Sequence, residues 1–149
     1  MTLLAFTDGA SRGNPGESGI GVILKDVSGT VLEEVCGYLG TSTNNRAEYA
    51  ALLAGVELAR RHNCSHLISH SDSELIVRQL QGTYKIKDKI LRQWAERVHA
   101  AVRSGGLKLE LKHIPREKNR EADQLANMGI DSKLPLEDPS LLGGTLFPG

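Results

Sequence analysis

Hydrophobic and polar positions follow two different periodicities along the chain, and the change between them predicts the elements. Three early segments have the apolar, β-branched character of strands, and Ser28-Gly29 is a hairpin signal between the second and third. Later segments repeat apolar residues at helical spacing and alternate with short strands. In chain order, the pattern predicts strands over Thr2–Thr7, Gly19–Asp26 and Thr30–Leu39, a helix over Asn45–Arg61, a strand over His66–Ser71, helices over Ser73–Gln81 and Lys87–Arg103, a strand over Leu107–Ile114 and a helix over Glu117–Met128. This order indicates an α/β domain in which helices pack on a mixed sheet.

The periodicity stops near the C-terminus. Beyond Gly129, the sequence LPLEDPSLLGGTLFPG contains three prolines and three glycines. We therefore expect one domain over residues 1–128 and a tail over residues 129–149. The tail is expected either to pack on the domain through its leucines and Phe147 or to be partly disordered.

Composition excludes several classes of protein. The 149 residues are 40% hydrophobic and 24% charged, which is typical of one globular domain. The chain has no apolar run of membrane-spanning length and no signal-peptide pattern, and its two cysteines, Cys36 and Cys64, are isolated. We expect a cytoplasmic monomer with reduced thiols and no membrane contact.

Charge is distributed unevenly along a chain whose net charge is zero. Residues 85–120 contain eleven Lys and Arg against four Asp and Glu, whereas residues 1–84 contain six against nine. A basic segment of this kind is typical of local polyanion binding, and equally of a solvated helix face. Charge alone leaves both interpretations open.

Four carboxylates occupy positions that suggest a shared site. Asp8 and Asp72 each end a predicted strand, Glu48 lies on the inward stripe of its helix with Leu52, and Asp123 lies inside the last helix. Each acid alone has an ordinary explanation as a turn or helix-cap residue. Four converging acids would repel one another unless divalent cations neutralised them, and oxygen ligands suit Mg²⁺ or Mn²⁺ rather than zinc. Two such ions side by side are the usual apparatus of phosphodiester hydrolysis.

Four motifs in order resemble type 1 ribonuclease H: TDGAS with GNPG, TNNRAE, SDS and NREAD. The resemblance extends from Thr2 to about Met128. It implies a ribonuclease H-like fold with a five-stranded mixed sheet, three antiparallel strands followed by two parallel ones, flanked by helices. It also implies an endoribonuclease that cuts the RNA strand of RNA–DNA hybrids, leaving 5′-phosphate and 3′-hydroxyl ends, without strong sequence specificity.

The resemblance assigns roles to individual residues. It implies that two Mg²⁺ ions, with Mn²⁺ as the alternative, are bound by four catalytic carboxylates: Asp8, Glu48, Asp72 and Asp123. It also implies that the hybrid contacts five residues of the first two motifs: Gly9, Asn14, Thr43, Asn44 and Asn45. For Gly9 we expect close approach of a phosphate backbone, because it has no side chain.

The chain departs from the family pattern in three places. The basic protrusion of several members is absent, and we expect a lysine cluster, Lys85, Lys87 and Lys89, to bind the nucleic-acid backbone instead. Glu74 stands where a glutamine is common in the family. Arg116 lies nearest the position where other members have a catalytic-loop histidine, so we include Arg116 among the catalytic candidates. Two alternatives remain. One is another two-metal nuclease or strand-transfer enzyme of the same fold, and the other is a nucleic-acid-binding module with an inactive site. Binding of double-stranded RNA also stays open.

Overall fold

The computed structural model describes residues 1–143, so the expected contact of Phe147 lies outside the described residues. The order of strands and helices agrees with the sequence pattern. The elements are β1 (Thr2–Gly13), β2 (Gly16–Asp26), β3 (Val31–Ser42), α1 (Asn44–Arg61), β4 (His66–Ser71), α2 (Glu74–Leu80), α3 (Lys89–Gly105), β5 (Lys108–His113) and α4 (Arg120–Ser132), with short 3-10 helices over Arg116–Lys118 and Pro139–Leu142.

The five strands form one mixed sheet in the order β3-β2-β1-β4-β5. The β1–β2 and β2–β3 pairs are antiparallel, whereas the β1–β4 and β4–β5 pairs are parallel. The predicted sheet, three antiparallel strands followed by two parallel ones, is therefore confirmed.

β1 is longer than the sequence pattern predicts, and the expectation that Asp8 ends this strand is wrong. The strand continues to Gly13 because its second half pairs with β2 alone, up to Gly13 opposite Gly16. Pairing between β1 and β4 stops earlier, at Phe6 opposite His70. Asp8 and Asp72 each lie two residues beyond that last pair, so the parallel register brings them to the same end of the sheet.

Helices cover both faces of the sheet. On one face, α1 packs against the sheet and α3 packs against α1, and Trp94 is buried there in the core as its stripe predicts. On the other face, α4 packs on β2 and β3. This second interface is very close, because a Cβ on Gly21 would come within 2.3 Å of the Ala122 carbonyl oxygen. The close packing fixes the helix that carries Asp123.

The four predicted helices differ from their observed bounds by one to four residues at one or both ends. α1 begins one residue earlier than predicted, at Asn44, and its N-cap is Thr43, whose side chain accepts a hydrogen bond from the Arg46 amide. Residues 116–118 form a separate 3-10 turn, so α4 begins at Arg120 and continues to Ser132. Beyond α4, Leu136 and Leu141 are buried in the core. No helix within residues 1–143 has the length and apolar character needed to cross a membrane.

Candidate active site

Three of the four predicted carboxylates converge at the end of the β1–β4 pair. Asp8, Glu48 and Asp72 each offer one oxygen, and these oxygens all lie within 4.8 Å of one another. Asp8 and Glu48 are buried, and Asp72 is half-buried. Asp123 is half-buried on α4, and it adds to the effects of burial, Glu48 and Asp72 that raise the pKa of Asp8. We call these four residues the carboxylate group.

Glu48 is oriented by a backbone contact with the strand. The Gly9 amide donates a hydrogen bond of 2.7 Å to Glu48 Oε1. The inward direction expected from the α1 stripe is therefore observed, and the side chain does not reach back to cap α1 as a capping box would require. This bond ties the N-terminal part of α1 to β1 beside Asp8.

Gly9 has a packing reason to lack a side chain. A Cβ at this position would lie 2.2 Å from the carbonyl carbon of Ala47 and 2.3 Å from the Glu48 nitrogen. The interpretation of Gly9 as room for a phosphate backbone is thus not needed to explain the glycine. Its contact with substrate stays a prediction.

The electrostatics of the group reflect burial of like charges. Burial raises the pKa of Asp8 well above the ordinary carboxyl range, and the charges of Glu48 and Asp72 raise it further. Burial likewise raises the pKa of Glu48, against the opposing effect of the Gly9 hydrogen bond and the Arg116 charge. Among residues 1–143, no Lys, Arg or His forms an ion pair with any of the four acids. In the metal-free protein, Asp8 and Glu48 therefore ionise less readily than ordinary carboxyl groups.

This donor set fits hard divalent cations. All the converging atoms are carboxylate oxygens, the type that Mg²⁺ and Mn²⁺ prefer. The absence of ion pairs to these acids within the described chain leaves their charge available to a cation. The residues present thus suit the ions that the resemblance implies.

An asparagine of the NREAD motif that was not predicted as a site residue contacts the carboxylate group. Asn119 is 2% exposed, and its Nδ2 donates to the Thr7 carbonyl oxygen at 2.9 Å and to Asp72 Oδ2 at 3.4 Å. The predicted helix over Glu117–Met128 included Asn119 as an interior residue, and a long-range contact of this kind has no local sequence signature.

The predicted substrate residues lie on two adjoining segments. Asn14 is exposed at the turn between β1 and β2, and its Oδ1 accepts a hydrogen bond of 3.2 Å from the Asn44 amide. Asn44 is exposed at the start of α1, and Thr43 and Asn45 beside it are half-buried. The structure therefore joins the turn and the start of α1 into one polar surface.

The remaining candidates lie on neighbouring loops. Lys85, Lys87 and Lys89 are exposed between α2 and the start of α3. Tyr84, which precedes them, donates a hydrogen bond of 3.3 Å to Glu74 Oε1, two residues from Asp72. Arg116 is exposed in the 3-10 turn before α4, and its charge lowers the pKa of Glu48. The Arg116 loop thus borders the carboxylate group, and the lysine-bearing loop contacts the start of α2 through Tyr84.

Comparison with known proteins gives consistent matches over nearly the whole chain. The family model described as "Reverse transcriptase-like" matches residues 6–129. Ribonuclease HI of Halobacterium salinarum is 38% identical over 127 residues, covering 85% of this chain and 63% of the relative. A Mycobacterium tuberculosis protein named "Bifunctional protein Rv2228c" is 35% identical over 133 residues, covering 89% of this chain and 36% of the relative. The chain therefore spans less than two thirds of the length of these relatives.

A solved structure gives the same relationship in three dimensions. The crystal structure of LC11-RNase H1 in complex with an RNA/DNA hybrid superposes with a TM-score of 0.83. Its sequence is 41% identical, and the match covers 87% of this chain and 97% of that one. Fold, motif order and sequence identity all point to the same group of proteins.

Proposed function

Because the chain belongs to the type 1 ribonuclease H family, we propose that it is an endoribonuclease that hydrolyses the RNA strand of RNA–DNA hybrids. The observation that carries the proposal is the convergence of Asp8, Glu48 and Asp72 within 4.8 Å, with no ion pair to any of them in residues 1–143. The relative of known structure that binds an RNA/DNA hybrid supports the choice of substrate.

The proposed role of the carboxylate group is to hold two divalent ions, Mg²⁺ or Mn²⁺. Bound there, the ions would lower the pKa of an attacking water and stabilise the leaving 3′-oxygen, which gives 5′-phosphate and 3′-hydroxyl ends. The four acids of the carboxylate group would hold these ions, and in their absence burial and the charges of Glu48, Asp72 and Asp123 raise the pKa of Asp8. The Gly9 amide keeps Glu48 aimed at Asp8 before any ion binds.

The residues around the group would bind and orient the hybrid. Asn14 and Asn44 form one polar surface suited to the wide, shallow minor groove, where 2′-hydroxyls distinguish RNA from DNA. Thr43 and Asn45 extend this surface along the start of α1. The lysine cluster would bind phosphates without reading sequence. Arg116 offers a fixed positive fork near the reacting phosphate.

The test is a gel assay with end-labelled RNA–DNA, RNA–RNA and DNA–DNA duplexes, with and without Mg²⁺. We expect Mg²⁺-dependent cutting of the RNA strand of the hybrid. Cutting of DNA–DNA would favour a nuclease or strand-transfer enzyme of different specificity, and binding without cutting would favour a module with an inactive site. The RNA–RNA lane decides whether double-stranded RNA is also a substrate.

Asp8→Asn is the decisive variant for the metal assignment. It keeps the shape of the side chain but removes a charge from the carboxylate group, so cleavage should be abolished while the protein still folds. Circular dichroism provides the control for folding. Near wild-type cleavage by this variant in Mg²⁺ would show that the carboxylate group does not hold the catalytic ions.

A further inference from the structure

Asn119 does not perform the local task expected of its position. It is the residue before α4, where an asparagine side chain usually accepts a hydrogen bond from the first turn. Here the side chain makes no capping hydrogen bond, and only the backbone carbonyl of Asn119 engages the helix, accepting from the Asp123 amide at 3.1 Å. The amide group is directed instead into the interior of the protein.

In the interior, a single amide nitrogen contacts two carboxylate-bearing segments. Asn119 Nδ2 donates to the carbonyl oxygen of Thr7, the neighbour of Asp8 in β1, and to Oδ2 of Asp72 after β4. The residue itself begins the helix that carries Asp123. One buried side chain therefore links β1, the end of β4 and α4 at the point where the carboxylate group assembles.

The other end of the amide adds nothing to the fold. Asn119 Oδ1 is buried and has no hydrogen-bond partner among the described residues. An unpaired buried acceptor lowers stability, so the two contacts of Nδ2, with Thr7 and with Asp72, are the ones that give this side chain a role. The two nitrogen contacts fix which end of the amide faces Asp72, because a carbonyl oxygen there would be repelled.

We propose that Asn119 is a positioning residue that holds Asp72 in register with Asp8, and that it thereby strengthens divalent-ion binding by the carboxylate group. The proposal rests on the proposed function, since it assumes that this group binds ions. Partners of metal ligands of this kind typically contribute about 10- to 100-fold to metal affinity or activity. Asn119 need not touch the hybrid to have this effect.

The test is calorimetric titration of the full chain with Mn²⁺ alone, comparing wild type with Asn119→Ala. We expect the Mn²⁺ Kd to rise by about 10-fold or more in the variant. Binding of the hybrid in EDTA should stay unchanged, and kcat should recover substantially at saturating Mn²⁺. Asn119→Ser, whose side chain is too short to reach Asp72, gives a second reading if the alanine variant folds poorly.

Two controls separate positioning from a general loss of stability. Gln79→Ala removes another buried amide, which accepts from the Tyr49 hydroxyl at 2.8 Å and contacts none of the four acids, so it should leave the Mn²⁺ Kd unchanged. In an Asp72→Asn background, Asn119→Ala should have little further effect on the Mn²⁺ Kd, because its proposed route is through Asp72.

The outcomes distinguish this inference from the function on which it rests. If wild type binds Mn²⁺ and both Asn119 variants bind it equally well, the positioning role is overturned and the proposed function is untouched. If the effect of Asn119→Ala persists at full size in the Asp72→Asn background, the route through Asp72 is overturned. If wild type itself binds no Mn²⁺, the metal site fails and the inference fails with it.

Discussion

Replacing Gly9 by alanine should damage the active site more than the fold. The added Cβ would lie 2.2 Å from the Ala47 carbonyl carbon, 1.2 Å short of the 3.4 Å at which ordinary contacts begin. The atoms that it meets are backbone, so no side-chain rotation can relieve the overlap. The first turn of α1 must therefore move away from β1 by about 1 Å, which for overpacking of this kind costs roughly 1–3 kcal/mol of stability.

The displacement falls on a catalytic candidate. Glu48 directly follows that first turn, and its 2.7 Å hydrogen bond from the Gly9 amide would stretch or break. A misplacement of about 1 Å at a catalytic centre can lower the rate about 100-fold. We therefore expect Gly9→Ala to lower kcat by roughly two orders of magnitude, and to lower Tm by about 5 °C for a chain of this size.

The assay is steady-state cleavage of a labelled hybrid, with thermal unfolding followed by circular dichroism. Gly55→Ala is the matched control, since it makes the same change at the same α1–β1 interface. There the nearest atom is a side-chain methyl, Thr7 Cγ2, at 3.1 Å, which can move by a few tenths of an ångström. The control should keep wild-type kcat. Wild-type kcat and Tm in Gly9→Ala would refute the reasoning.

Three further results should follow. Burial raises the pKa of Asp8 and Glu48 in the fold, so the native state binds more protons than the unfolded chain. The free energy of unfolding in EDTA should therefore fall from about pH 5 to about pH 8. Urea titrations would contradict this if they showed a constant or rising free energy of unfolding, or an equal fall in Asp8→Asn. Alanine at all three positions of the lysine cluster should raise KM and flatten its salt dependence with little change in kcat. An unchanged KM at low salt would show that the nucleic-acid backbone is bound by another surface. Arg116→Ala should lower kcat by about 10- to 100-fold with little change in KM, and Arg116→Lys should lower it less. An unaltered kcat in Arg116→Ala would show that Arg116 has no catalytic role.

The sequence by itself determined the order of the elements and the identity of the four acids. β4 was predicted with its observed bounds, His66–Ser71, because strand periodicity and the flanking turn residues are local properties of the chain. The motifs around Asp8, Glu48, Asp72 and Asp123 were recognisable for the same reason, since each motif is a short contiguous run. Local pattern did not predict where β1 ends, because its second half is stabilised by pairing with β2 rather than by its own residues.

Only the tertiary structure decided how these residues work together. The parallel register places Asp8 and Asp72 each two residues beyond the Phe6–His70 pair, and no turn sets this register because β2, β3 and α1 lie between the two strands in the chain. Gly9 has no room for a side chain because the backbone of α1, 38 or more residues later in the chain, packs against it. The direction of the Asn119 amide depends on Thr7 and Asp72, which are 112 and 47 residues away. Contacts between distant segments arise from packing of the whole domain, so their geometry becomes readable only when the chain is folded.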